Sequence, residues 1–411
     1  MIVPASGSVL HDDDIAAMQA ALDKRWLTSG PINAEFERKL SEYTGIQHVR
    51  TCNSGSSANL LAVAAMVESG RWKAGDHILT VAASFPTTIN PLVLYGLVPV
   101  FVDIDLDTLN VNVDHLYRAA YDSRSRGIML AHTLGNPFDV GAVMQIAHSR
   151  GLHVVEDCCD ALGATWCGEH VGNFGAIATC SFFPAHHITC GEGGAVFSND
   201  SELITIAESI RDWGRDCWCA PGKENTCGKR FEWNLGALPN GYDHKYTYSR
   251  LGFNLQATEI GSACGLSQLH RISGIVKSRK ANFENLARSF LVSQPAFGEF
   301  EVRPKQAQYH VVEHSNAQAS WFGFPIILKE TGIRAQMQAY LAQEGVGSRL
   351  VFAGNITKQP YFKDRKYVIA STLVNTDKVM NDAFWIGCHP ELSEEQLDYA
   401  AGKVKTFLGD F

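Results

Sequence analysis

The sequence lacks any apolar run long enough to cross a bilayer. Stretch 58–67 is among the longest, against the roughly 20 residues that a spanning helix needs. It has no basic block either. Lys and Arg number 35 against 43 Asp and Glu, a formal net charge of -8, which argues against nucleic acid as a main partner. The opening segment, MIVPASGSVLHDDD, has no basic region before it turns acidic, so no secretory leader is read there and a cytoplasmic protein is expected. With no export signal, the eleven cysteines do not read as a disulfide framework; metal ligation or burial is expected instead. No internal repeat, low-complexity tract or G-x-G-x-x-G nicotinamide fingerprint is found.

What is present is a chain of 411 residues with 45% apolar and 19% charged residues, ordinary for a globular protein. That length predicts two units, a large one over 1–275 and a smaller C-terminal α+β one over 276–411. Segments 77–85, 98–105, 127–134, 153–157, 177–184 and 194–198 read as buried strands. Helical patterns such as 114–126 and 141–150 alternate with them. The alternation predicts an α/β fold with a mostly parallel sheet, whose ligands gather at the carboxyl ends of the strands. Segment 213–254 has no period and is too long for a plain connection, so it reads as functional. A helical run over 257–291 follows. Beyond it come a strand at 321–328 and helices at 333–344 and 394–408.

Four motifs carry chemistry. NSGSSANLLAVAAM (53–66) feeds a small-residue turn into an apolar helix. Gly55, Ser56 and Ser57 there form a phosphate cradle or an ordinary serine cap, two readings of equal weight. VVEDCCDALGA (154–164) ends a strand in acids, where Asp157 bonds a ring nitrogen or caps the next helix. SFFPAHHITCGEGG (181–194) joins a strand to a glycine-rich turn through two histidines. Arg349 and Asn355, in the polar turn 347–355, suit a phosphate or a sugar as well as they suit a plain surface.

Taken in order, Asn53–Ala58, Ser84-Phe85-Pro86-Thr87-Thr88, Glu156-Asp157, Ser181-Phe182, Gly191-Glu192-Gly193-Gly194 and Gly252-Phe253-Asn254 resemble the sugar aminotransferases, fold-type I pyridoxal phosphate (PLP) enzymes. The resemblance covers nearly the whole chain. It implies that Asp157 pairs with the pyridine nitrogen and Phe85 stacks on the ring. Gly55, Ser56, Ser57 and Ser181 would hold the phosphate, with Asp160 also among the cofactor contacts. Asn254 would reach the phosphate of a neighbouring subunit, implying a homodimer with shared sites.

The family pattern has a lysine where this chain has His186. An imidazole cannot tether the cofactor, so PLP or its amine form, PMP, would be held noncovalently. It can still move a proton near neutral pH. This exchange resembles the 4-keto-6-deoxyhexose 3-dehydrases, in which the histidine is the base. His187 is expected to point elsewhere.

Cys159, Cys217, Cys219 and Cys227 form a C-x57-C-x-C-x7-C pattern. Zinc sites favour C-x2–4-C pairs, whereas four thiolates can also hold a [2Fe–2S] cluster. The pattern resembles the iron–sulfur 3-dehydrases, with the insertion at about 213–250 carrying three ligands. That implies a CDP-linked 4-keto-6-deoxyglucose, reduced one electron at a time by a separate NAD(P)H-dependent flavin and iron–sulfur reductase. Cys158 would point away from the cluster. Cys52, Cys167, Cys180, Cys190, Cys264 and Cys388 read as small apolar core residues. Rival readings are a cluster-free histidine dehydratase, a plain aminotransferase, which His186 opposes, and an inactive fold that binds a partner through 213–254.

Overall fold

The computed structural model describes residues 1–7, 10–219, 222–290, 307–308 and 311–409. Its centre is an eight-stranded sheet. The strand order is His48–Cys52, Gly194–Ser198, Ile177–Ser181, His153–Asp157, Ser125–Ala131, His77–Val81, Val98–Val102 and Val368–Ile369. Only Gly194–Ser198 runs antiparallel to its neighbours; the other pairs are parallel. The fold is the α/β architecture with a mostly parallel sheet that the alternation predicts.

Strand periodicity explains how the sheet builds two cores. Along Ser125–Ala131, Ile128 and Leu130 enter the larger apolar cluster while Met129 enters a second one. Val154 and Val155 divide in the same way. A sheet covered on both faces needs apolar side chains in both directions, which is why these strands read as continuous apolar runs. Helix Gly55–Glu68 is apolar nearly all round, with Ala58, Leu61, Ala62, Val63 and Ala64 fully buried. It packs between helix Ser201–Arg211 and the sheet.

Several element limits move. The predicted helix 114–126 ends early, as Val113–Ala119, because the chain turns at Ser123 and Arg124 into a strand that begins at Ser125. The run 257–291 is two helices, Glu259–Leu269 and Ile272–Phe290, broken at His270–Arg271; residue 291 lies outside the described residues. The C-terminal third holds a four-stranded antiparallel sheet in the order Ala307–Gln308, Phe324–Leu328, Ala383–Ile386, Ser348–Arg349. One short strand of that third, Val368–Ile369, joins the large sheet beside Val98–Val102. Among the described residues no helix is long and apolar enough to cross a membrane.

Candidate active site

The carboxyl ends of the central strands open into a cavity of about 510 Å³, a common size for a small-molecule site. Helix Gly55–Glu68 begins at its wall. Ser54 caps that helix by accepting the Ser57 backbone N–H at 3.1 Å, and its hydroxyl donates to Ser57 Oγ at 3.0 Å. Ser57 thus serves the cap, and the cavity is lined instead by Gly55 and Ser56. A Cβ on Gly55 would stand 2.5 Å from Ser181 Cβ and 3.0 Å from Cys159 Sγ. The site needs the bare backbone there, with free amides at a helix start.

Asp157 ends strand His153–Asp157 and is 4% exposed. Its Oδ2 accepts hydrogen bonds from Asn59 Nδ2 at 2.8 Å and Thr88 Oγ1 at 2.7 Å, and its Oδ1 accepts from the Cys159 backbone N–H at 3.0 Å. Thr179 Oγ1 in turn donates to Asn59 Oδ1 at 2.7 Å, fixing the amide's orientation. Three donors on one carboxylate fix its position at the cavity wall. Sequence reasoning passed over Asn59. Its signal was a lone amide inside an otherwise apolar helix.

His186 lines the same cavity, its side chain 14% exposed. Burial, and then the charge of Arg279, push its imidazole down to about 4, against a smaller opposing effect of Asp157. Burial, and then the nearby Asp157, push Asp160 up to about 8. Near neutral pH the imidazole is therefore neutral and Asp160 carries a proton. His186 Nδ1 stands 3.4 Å from Asp160 Oδ1. Both His186 Nδ1 and Asp160 Oδ2 are buried without a hydrogen-bond partner. A neutral imidazole at a cavity wall can accept a proton. His187 turns away, with Nε2 2.9 Å from the Ser320 carbonyl.

Phe85, Ser181 and Arg349 also line the cavity, joined by Phe322 and Trp385 from the C-terminal sheet and the chain beside it. Asn355 does not. It is 1% exposed, accepts the Thr357 N–H at 3.1 Å and donates to Asp377 Oδ1 at 2.7 Å, so its polar groups are consumed in capping a turn. Asn254 is exposed and outside this chain's cavity.

The cysteines divide. Cys159 lies in the wall of the large cavity beside Asp157. Cys217, Cys219 and Cys227 line a separate small cavity with Arg230, His244 and Lys245. Thr226 Oγ1 donates to Cys219 Sγ at 3.0 Å, and this bond is the main cause of a lowered Cys219 thiol; burial raises Cys217. Among the described residues, the group with three candidate donor atoms within 4.8 Å of one another is His132, Glu156 and Cys158. Its carboxylate is already taken by the Gly172, Phe174 and Gly175 N–H groups and by His132. Cys158 is in the core, as are Cys52, Cys180, Cys264 and Cys388. Cys190 is half-buried. Cys167 is exposed, contrary to the expectation of burial.

The model of the DegT/DnrJ/EryC1/StrS aminotransferase family matches residues 9–405. The chain is 50% identical to the lipopolysaccharide biosynthesis protein RfbH of Salmonella typhimurium, over 99% of this chain and 92% of that protein. It is 44% identical to the dTDP-4-dehydro-2,6-dideoxy-D-glucose 3-dehydratase of Saccharopolyspora spinosa, over 98% and 86%. A crystal structure of E. coli GDP-4-keto-6-deoxy-D-mannose-3-dehydratase with bound hydrated PLP superposes with a TM-score of 0.86. It shares 28% identity over 98% of this chain and 100% of that one.

Proposed function

The chain belongs to the DegT/DnrJ/EryC1/StrS aminotransferase family, and from that premise we propose that it removes the C3 hydroxyl of a nucleotide-linked 4-keto-6-deoxyhexose. The proposed substrate is CDP-4-keto-6-deoxy-D-glucose and the cofactor is noncovalent PMP. The observation that carries this reading is His186, a neutral imidazole in the cavity wall at the position where the family's lysine would tether the cofactor. The similarity to two 3-dehydratases supports it.

The cavity suits PMP. It offers bare backbone at Gly55, a triply held carboxylate at Asp157 and two buried polar atoms without partners. Bound there, PMP supplies an amine for the sugar ketone and a ring that delocalises an electron pair. Asp157 would hold the pyridine nitrogen protonated. The Gly55 and Ser56 amides and the Ser181 hydroxyl would take the phosphate, and Phe85 would cover the ring. Asp160 would face His186 across the cavity wall. His186 would accept the proton at the cofactor's C4′. Arg349 is the cation in the wall suited to the sugar's diphosphate. Asn254, exposed here, is free to reach a second copy's phosphate, in keeping with a homodimer.

The same reading assigns Cys159, Cys217, Cys219 and Cys227 to a [2Fe–2S] cluster fed by a separate NAD(P)H-dependent reductase. The C-x57-C-x-C-x7-C spacing and three half-buried thiols around one cavity support it. Cys159 opens on the other cavity, so the described chain gathers three of the four thiols. The second reading, a cluster-free dehydratase, has the likeness to the GDP-4-keto-6-deoxy-D-mannose enzyme in its favour. Iron and acid-labile sulfide on anaerobically purified protein separate the two. Two of each per chain are expected, and Cys217→Ser should lose them while keeping PMP. No iron after anaerobic reconstitution would favour the cluster-free enzyme.

A further inference from the structure

Behind His186 lies a buried cation that the chemistry above leaves unused. Arg279, in helix Ile272–Phe290, is 1% exposed. A guanidinium so buried is usually matched by a carboxylate. Here Nη1 donates to the Trp321 carbonyl at 3.3 Å and the Phe322 carbonyl at 3.1 Å. Nη2 donates to the His186 carbonyl at 3.2 Å and the Ala185 carbonyl at 3.5 Å. One planar fork therefore joins two chain segments far apart in sequence. Arg279 is not in the wall of the cofactor cavity. It lines a second cavity of about 330 Å³, on which His186 and His187 also open.

We propose that Arg279 is a positioning residue for the base: it clamps the backbone of Ala185 and His186 to that of Trp321 and Phe322, and so sets where the imidazole stands. The proposal rests on the reading of His186 as the base. The far side of the clamp is itself anchored, since Ser320 N–H donates to the Gly135 carbonyl at 3.0 Å and Phe322 N–H to the Leu134 carbonyl at 2.8 Å. On the near side the adjacent His187 adds one further tie, its Nε2 2.9 Å from the Ser320 carbonyl. Besides the clamp, the His186 backbone N–H reaches only back to the Phe183 carbonyl, at 2.9 Å, within its own turn. The two clamped segments also meet through their rings: the His186 and Phe322 centroids lie 5.1 Å apart, tilted by 38°. The guanidinium's charge also acts to keep the imidazole neutral. A lysine has three donors on a point charge and no planar fork, so it can reproduce the charge but only part of the clamp.

The test uses full-length Arg279→Met and Arg279→Lys, loaded with PMP and given CDP-4-keto-6-deoxy-D-glucose with dithionite and a mediator dye as the source of electrons. Displacing a catalytic group by about 1 Å costs on the order of 100-fold. R279M should therefore lose roughly 10- to 100-fold in kcat with KM within about twofold, and R279K should recover part of the loss. In the cofactor-free proteins, amide hydrogen exchange over 184–188 should quicken about tenfold while helix Gly55–Glu68 keeps its protection. An unchanged kcat in a folded R279M would overturn the proposal. So would faster exchange spread evenly over the molecule. If R279M does not fold, R279K yields both readouts. Wild-type protein that fails to dehydrate this sugar with PMP would defeat the base reading instead, and the exchange data would still judge the clamp.

Discussion

Asp157 shows how much a single residue owes to its neighbours. Its two oxygens face Asn59, Thr88 and the Cys159 amide, all of them donors, so an amide side chain at 157 would turn its own N–H groups toward donors. Charge-assisted hydrogen bonds contribute about 1.5–3 kcal/mol. Asp157→Asn should weaken PMP binding by roughly 10- to 100-fold in a fluorescence titration, since the ring nitrogen loses its anion as well. Thr88→Val removes one donor and leaves the carboxylate; a loss of about tenfold or less is expected from one ordinary hydrogen bond. Equal losses in the two variants would mean that Asp157 does not meet the ring.

At the scale of an element, helix Gly55–Glu68 has two separable tasks at its start. The Ser54 cap serves folding, and the bare Gly55 backbone serves the cavity. Ser54→Ala should cost about 1 kcal/mol in denaturant melts and leave the cavity's shape alone. Gly55→Ala places a methyl 2.5 Å from Ser181 Cβ. It should abolish saturable PMP binding at micromolar concentration, with a smaller effect on the melt of the cofactor-free protein. A Gly55→Ala protein that binds PMP normally would place the phosphate elsewhere. The segment 213–254 is the contrasting element. Aromatic stacking such as Trp233 on His244, and the Arg230–Asp243 ion pair, organise it together with one short 3-10 turn, His244–Tyr246.

At the scale of the whole molecule, buried histidines should cost the fold stability in acid. His170 Nε2 accepts the Gly163 N–H at 2.7 Å while Nδ1 meets the Val171 carbonyl at 2.6 Å. Only the neutral ring can do both, and burial pushes it down to about 4. Between pH 6.5 and about 4 the unfolded chain therefore binds a proton that the native state refuses, and stability falls as pH falls. His186, also pushed down to about 4, adds to this loss. Asp160, pushed up to about 8, has the opposite slope. The native state keeps its proton between about 4 and 8, so its contribution declines as pH rises through that window. Urea midpoints of the cofactor-free protein should fall from pH 6.5 toward 4, and less steeply in His170→Gln. An identical slope in that variant would remove His170 from the account.

The sequence determined the sheet and several of the residues that line the cavity. Apolar runs such as 153–157 and 194–198 had to be buried on both faces, and Gly55, Asp157 and His186 could be picked out as cavity residues because strand ends and turns hold them there. Tertiary structure decided what depends on residues far apart in the chain. It spent Ser57 and Asn355 on caps and brought Asn59 and Thr88 to one carboxylate. It exposed Cys167, and it placed Cys159 in one cavity and Cys217, Cys219 and Cys227 in another. It also buried Arg279 against the carbonyls of two distant segments. Periodicity and motif spacing report what a segment does with its own neighbours. Which side chains share a wall is fixed only when the sheet order closes the chain around them.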